Sequence, residues 1–277
     1  MTKDFILNLT GSDVLRISAF GLEHIEKSHC LIFVHGFKGF KNWGFVPDIG
    51  KYFANSGYFV LTFNFSHNGV GESLTQFDEL DKFAENTFTR EISELNELIA
   101  AYNFGFFGNS SNKGIGLIGH SRGGAIALLT GSNNPEVKAV TTWASLSNLD
   151  RYSERQKKEW IERGYIEVLN TRTKQRMRLN STLLEDIEQN KSSSLNIESA
   201  IKNLKKPLLI IQGENDLAVP AREAETLYNW SDKQLTEYLL VPATGHTFDM
   251  KHPSEGSNPK FDTVLSTTIN FFNNNLN

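Results

Sequence analysis

Gly119-His120-Ser121-Arg122-Gly123-Gly124 follows the apolar run Ile115-Gly116-Leu117-Ile118 and precedes Ala125-Ile126-Ala127-Leu128-Leu129. Read as strand, turn and helix, the stretch is a G-x-S-x-G nucleophile elbow. Such a turn needs glycine around the serine, because its backbone is strained and the following helix packs close to its strand. The turn lifts the Ser121 hydroxyl out of the sheet, just ahead of the first amides of a helix. The strand before it, the helix after it and the extra glycine at 124 separate this match from a chance one.

Working outward, short apolar runs at 31–34, 59–65, 115–118, 139–143, 208–212 and 237–241 have the length and composition of buried strands. Alternation at 5–9 and 14–20 around Thr10-Gly11-Ser12-Asp13 predicts an opening hairpin. Helical patterns lie between the runs, at 45–55, 87–102, 221–230 and 261–272. In the second of these, Phe88, Ile92, Leu95, Leu98 and Ile99 share one face. This order predicts an α/β fold with a mostly parallel central sheet flanked by helices. The rhythm breaks at 148–204, which is too long for a simple crossover. That segment contains a hairpin, 165–169 with 175–179, between helices near 153–162 and 181–189. We read it as a small cap inserted in a single domain spanning 1–277.

The chain has 277 residues, a formal charge of −4 and one cysteine, Cys30. The charge gives no reason to expect nucleic acid or an anionic membrane as partner. A lone cysteine permits no intramolecular disulfide. The N-terminus lacks the apolar stretch of a secretory signal, and nothing approaches the roughly 18 apolar residues of a membrane span. A cytoplasmic protein is expected. The expected partner is a small molecule, and a homodimer is allowed.

A serine hydroxyl needs a base to become a nucleophile, and the base needs an orienting carboxylate. In the chain order serine, acid, histidine, only His246 and His252 lie downstream of Ser121. His246 directly follows a strand and is the expected base, whereas His252 reads as a surface residue. Asp216, in the loop after the preceding strand, is the expected acid, with Glu214 and Asp150 as alternatives. The oxyanion donors expected are the backbone amides of Arg122 and of Phe37, the latter in the loop His35-Gly36-Phe37 after the first parallel strand. His35 and His120 are assigned structural hydrogen-bonding roles.

These segments together resemble the α/β-hydrolase superfamily: His35-Gly36-Phe37, the elbow, Gly213-Glu214-Asn215-Asp216-Leu217-Ala218-Val219-Pro220 and Gly245-His246. Residues 63–73 resemble that superfamily's loop after the next strand, though Asn64 and His67-Asn68 depart from the usual pattern. Within it the chain is similar to cinnamoyl (feruloyl) esterases and dienelactone-hydrolase-like proteins. The resemblance implies a serine hydrolase that cleaves carboxylic esters through an acyl-enzyme, without metal or organic cofactor. An aminopeptidase or amidase with the same residues and a non-catalytic ligand-binding member of the fold are the competing readings.

Gly114-Ile115-Gly116-Leu117-Ile118-Gly119 satisfies a dinucleotide fingerprint but spans the strand instead of following it. The cationic run from Arg151 to Arg178 reads as a solvated cap surface, or else as an attractor for an anionic ester. Trp160, Tyr165 and Met177 are either the cap's apolar underside or substrate contacts.

Overall fold

The computed structural model describes residues 1–276. The elements run β1 (Thr2–Asn8), β2 (Val14–Phe20), β3 (Cys30–Val34), α1 (Val46–Asn55), β4 (Phe59–Asn64), α2 (Leu80–Ala84), α3 (Phe88–Asn103), β5 (Ile115–His120), α4 (Arg122–Asn133) and β6 (Val137–Trp143). They continue with α5 (Glu154–Arg163), β7 (Tyr165–Leu169), β8 (Arg176–Asn180), α6 (Ser181–Asn190), α7 (Ile197–Asn203), β9 (Leu208–Gly213), α8 (Ala221–Trp230), β10 (Thr236–Val241) and α9 (Pro259–Asn275).

The main sheet has the order β1-β2-β4-β3-β5-β6-β9-β10. The opening hairpin joins it antiparallel, and the other strands are mutually parallel. Strands β3, β4, β5 and β9 are buried along their whole length, which is why they read as continuous apolar runs without alternation. Helices α1 and α9 cover one face, and α3, α4, α7 and α8 cover the other. The Gly114–Gly119 motif lies in and just before β5, as its context required.

Strand β3 lies between β4 and β5, so the chain leaves it first to one side and later to the other. The loops at the carboxyl ends of β3 and β5 therefore diverge at a topological switch point, where sheets of this kind bind ligands. Register pairs Val34 with Gly119, which sets the His35-Gly36-Phe37 loop against the Ser121 turn.

Between β6 and β9 lie α5, the β7–β8 hairpin as a separate two-stranded sheet, and α6. Trp160 and Met177 are fully buried beneath these elements, whereas Tyr165 is half-buried between Arg163 and Arg178. Helix α7 packs on α4 and α8, and so extends the helical layer instead of covering the sheet end. It and the five-residue α2 are too short to show a helical period in sequence. Polar ties hold the hairpin and α6 in place. Asp186 Oδ2 accepts from the amides of Phe88 and Thr89 at 2.9 and 3.1 Å, which caps α3, and Gln175 Nε2 donates to Phe77 O at 3.0 Å. Among the described residues no helix is long and apolar enough to cross a membrane.

Helix α3 also carries a buried acid. Glu94 accepts from Ser66 N at 2.9 Å and from the Ser66 hydroxyl, which lies 2.6 Å from His67 Nδ1. Burial drives the Glu94 carboxyl up to about 7, against the lowering by both Ser66 hydrogen bonds. The folded state thus keeps a proton that the unfolded chain loses near 4.5, and stability falls as pH rises from there to about 7. Glu94→Gln should raise the melting temperature at about pH 8, with the gain vanishing towards about pH 4.5. An equal difference at both pH values in thermal melts would contradict this.

Candidate active site

Ser121 sits between β5 and α4 with φ 58° and ψ −124°, a region that L residues rarely adopt. The turn is held by Ser121 N donating to Trp143 O at 2.8 Å and Gly124 N donating to Ser121 O at 2.9 Å. Three glycines are required by space. A Cβ on Gly119 would fall 2.3 Å from Gly123 O, one on Gly123 would fall 2.2 Å from Val34 O, and one on Gly124 would fall 2.5 Å from Ser145 Oγ. The first turn of α4 is thereby pressed against β3 and β5. Gly36 is equally constrained, since its Cβ would lie 2.8 Å from Ser121 Cβ.

His246 follows β10, and Asp216 follows β9. His246 Nδ1 lies 2.7 Å from Asp216 Oδ2. Gln212 Nε2 donates to the same oxygen at 3.2 Å, and the amides of Ala218 and Val219 donate to Oδ1 at 2.8 Å each. Burial of Asp216 works to raise its pKa. The His246 hydrogen bond and charge and the two amides outweigh it and hold the carboxyl below its ordinary value. An ionised Asp216 accepts from Nδ1–H, so that when the ring is neutral Nε2 is its unprotonated nitrogen.

The loops bearing these two residues are interlocked. Glu214 N donates to Val241 O at 3.0 Å and Asn215 N to Thr244 O at 2.9 Å. Glu214 itself does not reach the imidazole: its Oε2 accepts from Ala243 N at 2.8 Å, bracing the histidine loop. Asp150 is also held elsewhere, accepting from Lys157 Nζ at 2.6 Å. Of the three acids considered from sequence, the structure brings Asp216 to His246.

The other histidines have structural partners. His120 Nε2 is 2.9 Å from His246 O, and burial lowers its pKa to about 3, so the neutral ring donates to that carbonyl. His35 is buried, with burial lowering it to about 4. Its Nδ1 lies 2.9 Å from Gly36 O, and its Nε2 accepts from Phe65 N at 3.4 Å. His252 is exposed, and its Nδ1 accepts from Gly44 N at 2.8 Å.

Ser121 and His246 together line two cavities, of about 410 and about 130 Å³. Phe37 and Lys38 line both. Arg122, Arg151 and Tyr152 line the larger, and Trp43 and Arg172 the smaller. A more voluminous cleft of about 780 Å³ lies between α5 and α6 and includes none of the residues singled out for chemistry. Among the described residues, the amides of Phe37 and Arg122 and the Ser121 hydroxyl have no hydrogen-bond partner, so all three are free to meet a ligand.

Arg122 is buried. Its Nη2 lies 2.7 Å from Glu91 Oε1, and its guanidinium stacks over the Phe37 ring at 4.8 Å and the Phe88 ring at 5.5 Å. Sequence reasoning assigned a role to this residue's amide and missed that of its side chain. It also missed Lys38, Trp43 and Tyr152, and it grouped Arg172 with the rest of the cationic cap run, because nothing in a linear pattern shows which side chains meet at Ser121. Tyr152 is backed by the buried Trp160, ring to ring at 4.8 Å, so that the cap core supports the cavity wall.

Two family models each match just over half of the chain: the Dienelactone hydrolase family over residues 20–162, and the BAAT/Acyl-CoA thioester hydrolase C terminal over residues 108–254. The chain is an α/β-hydrolase of the dienelactone hydrolase family. This α/β-hydrolase is 26% identical over 272 residues to a Mycoplasma genitalium protein named "Putative esterase/lipase 2", covering 90% of this chain and 92% of that one. Its fold is similar to that of Est1E from Butyrivibrio proteoclasticus bound to ferulic acid, with a TM-score of 0.75, 15% identity and coverage of 98% and 99% of the two chains. It is also similar to mouse alpha/beta hydrolase domain-containing protein 10, with a TM-score of 0.74, 15% identity and the same coverage.

The elbow supplies a direct test of the packing. Gly123→Ala should cost about 1–3 kcal/mol or more, because the backbone of Val34 has no slack to yield. A denaturation midpoint equal to the wild type would contradict the close approach.

Proposed function

We propose that this α/β-hydrolase cleaves carboxylic esters with Ser121 as nucleophile, His246 as general base and Asp216 as the carboxylate that orients it. The observation that carries the reading is the 2.7 Å contact between His246 Nδ1 and a buried, ionised Asp216, with Ser121 in the same cavity. In the reaction, Ser121 Oγ attacks the ester carbonyl while its proton passes to His246 Nε2. The oxygen that gains negative charge is met by the free amides of Phe37 and Arg122, the second being the first residue of α4. His246 then gives the proton to the departing alcohol. Water, deprotonated by the same nitrogen, attacks the acyl-enzyme and releases the acid and Ser121.

The residues from 1 to 277 act on this reading as one catalytic domain with a cap. The cap supplies Tyr152 to the larger cavity and Arg172 to the smaller, so it shapes which esters fit.

The aminopeptidase reading lacks a feature it requires. Neither cavity lining includes an Asp or Glu side chain, whereas Lys38, Arg122, Arg151 and Arg172 all contribute to the walls. A substrate ammonium placed there would be desolvated without a counter-charge. Neutral or anionic acyl groups suit these walls better.

Two outcomes are expected. Ser121→Ala should abolish turnover of short p-nitrophenyl esters, lowering kcat by roughly 10⁴-fold or more; turnover near the wild-type rate would reject the nucleophile. With the wild type, esters should be cleaved far faster than aminoacyl p-nitroanilides of matched size. Dominant anilide cleavage would replace the esterase reading with the aminopeptidase one.

A further inference from the structure

The cap reaches back to the loop that carries Phe37. Residues 36–39 form a four-residue turn closed by Gly39 N donating to Gly36 O at 2.9 Å. Phe37 is its second residue. Lys38, the third, has φ 57°, a left-handed conformation that a lysine holds only when its surroundings impose it. Two contacts from the β7–β8 hairpin hold this residue. Arg172 Nη2 donates to Lys38 O at 2.8 Å, and Lys38 Nζ donates in return to Leu169 O at 3.3 Å. The Arg172 guanidinium is steadied over the Trp43 ring at 5.3 Å.

The hairpin turn that presents Arg172 is itself well ordered by hydrogen bonds. Asn170 is buried; its N donates to Gln175 O at 2.9 Å, its O accepts from Lys174 N at 2.8 Å, and its Oδ1 accepts from Arg172 N at 3.2 Å. Among the described residues neither Arg172 nor Lys38 has a carboxylate partner within ion-pair distance. Arg172 is therefore held by a backbone carbonyl and an aromatic face, not by a surface ion pair of the kind that occupies Arg163, Arg176 and Arg178.

We propose that Arg172 is a positioning residue for the oxyanion site: from the cap it fixes the 36–39 turn through Lys38 O, and so aims the Phe37 amide at the oxygen that becomes charged at Ser121. The inference rests on the serine hydrolase reading above and deepens it. It makes the cap hairpin a part of the catalytic geometry as well as a cover for substrate. Arg122 holds the same loop from the other side through its stack on the Phe37 ring, anchored by Glu91. An amide that is slightly misaimed loses most of its value in the transition state while ground-state binding hardly changes.

The test uses the full-length protein, p-nitrophenyl acetate as a neutral ester too short to need the cap, and a short trifluoromethyl ketone whose hemiketal oxyanion forms on Ser121. Arg172→Ala should lower kcat by about 10- to 100-fold with KM within about 2-fold of the wild type, and should weaken the ketone by the same factor as kcat/KM. Arg172→Lys, which retains a charge and one donor, should recover part of the loss, and it decides the matter if the alanine variant fails to fold. Unchanged kcat in the folded variants would overturn the proposal, as would a defect confined to KM, which would mean that Arg172 only helps to bind substrate. Absence of both turnover and ketone binding in the wild type would instead refute the hydrolase reading itself.

Discussion

At the carboxyl end of the sheet, helix α4 begins so close to β3 that Gly123 has no room for a side chain beside the Val34 carbonyl. This close approach forces the chain at Ser121 into a sparsely populated backbone conformation, and hydrogen bonds to Trp143 and Gly124 keep it there. Strain of this kind persists only where the surroundings over-determine it. Here the determinants are the registers of β3 with β5 and of β5 with β6. The same packing exposes the first amides of α4, sets Gly36 against the serine, and leaves the Phe37 amide unpaired. The geometry around Ser121 is thus a consequence of how one helix starts.

His246 and Asp216 are held by a different device. The loops after β9 and β10 hydrogen-bond to each other, and Gly213 lets them approach until a Cβ would touch Gly245 O. Asp216 is buried, yet three donors besides His246 keep it ionised. His120 then ties the His246 backbone back to the elbow strand at 2.9 Å. Serine, imidazole and carboxylate therefore come from three separate crossovers but share one rigid frame, which suits chemistry that needs preorganised groups.

Much of this was legible in the sequence because it is local. The strand-turn-helix pattern at Ser121, the post-strand positions of Asp216 and His246, and the apolar runs of the parallel strands all follow from short-range rules. The hairpin at β7–β8 was visible from its alternation. What escaped notice was long-range or short in extent. Helices α2 and α7 are shorter than two turns of clear periodicity. Tyr152 and Arg172 are ordinary aromatic or polar residues until the cap folds over the sheet end and sets them at the cavities beside Ser121 and Lys38. The cationic run of the cap looked uniform in sequence. In the structure some of it forms surface ion pairs, such as Arg163 with Glu159, while Arg151, 3.9 Å from Glu223, and Arg172 line the cavities.

The central claim is that Ser121 is a nucleophile activated by His246 and oriented through Asp216. Reaction of the intact protein with a fluorophosphonate, followed by peptide mass spectrometry, tests it most directly. The account predicts a single adduct on Ser121, formed on the order of 10³–10⁴ times more slowly in Asp216→Asn, where the imidazole would hold the wrong tautomer. No adduct, an adduct on another serine, or labelling of Asp216→Asn at the wild-type rate would contradict it.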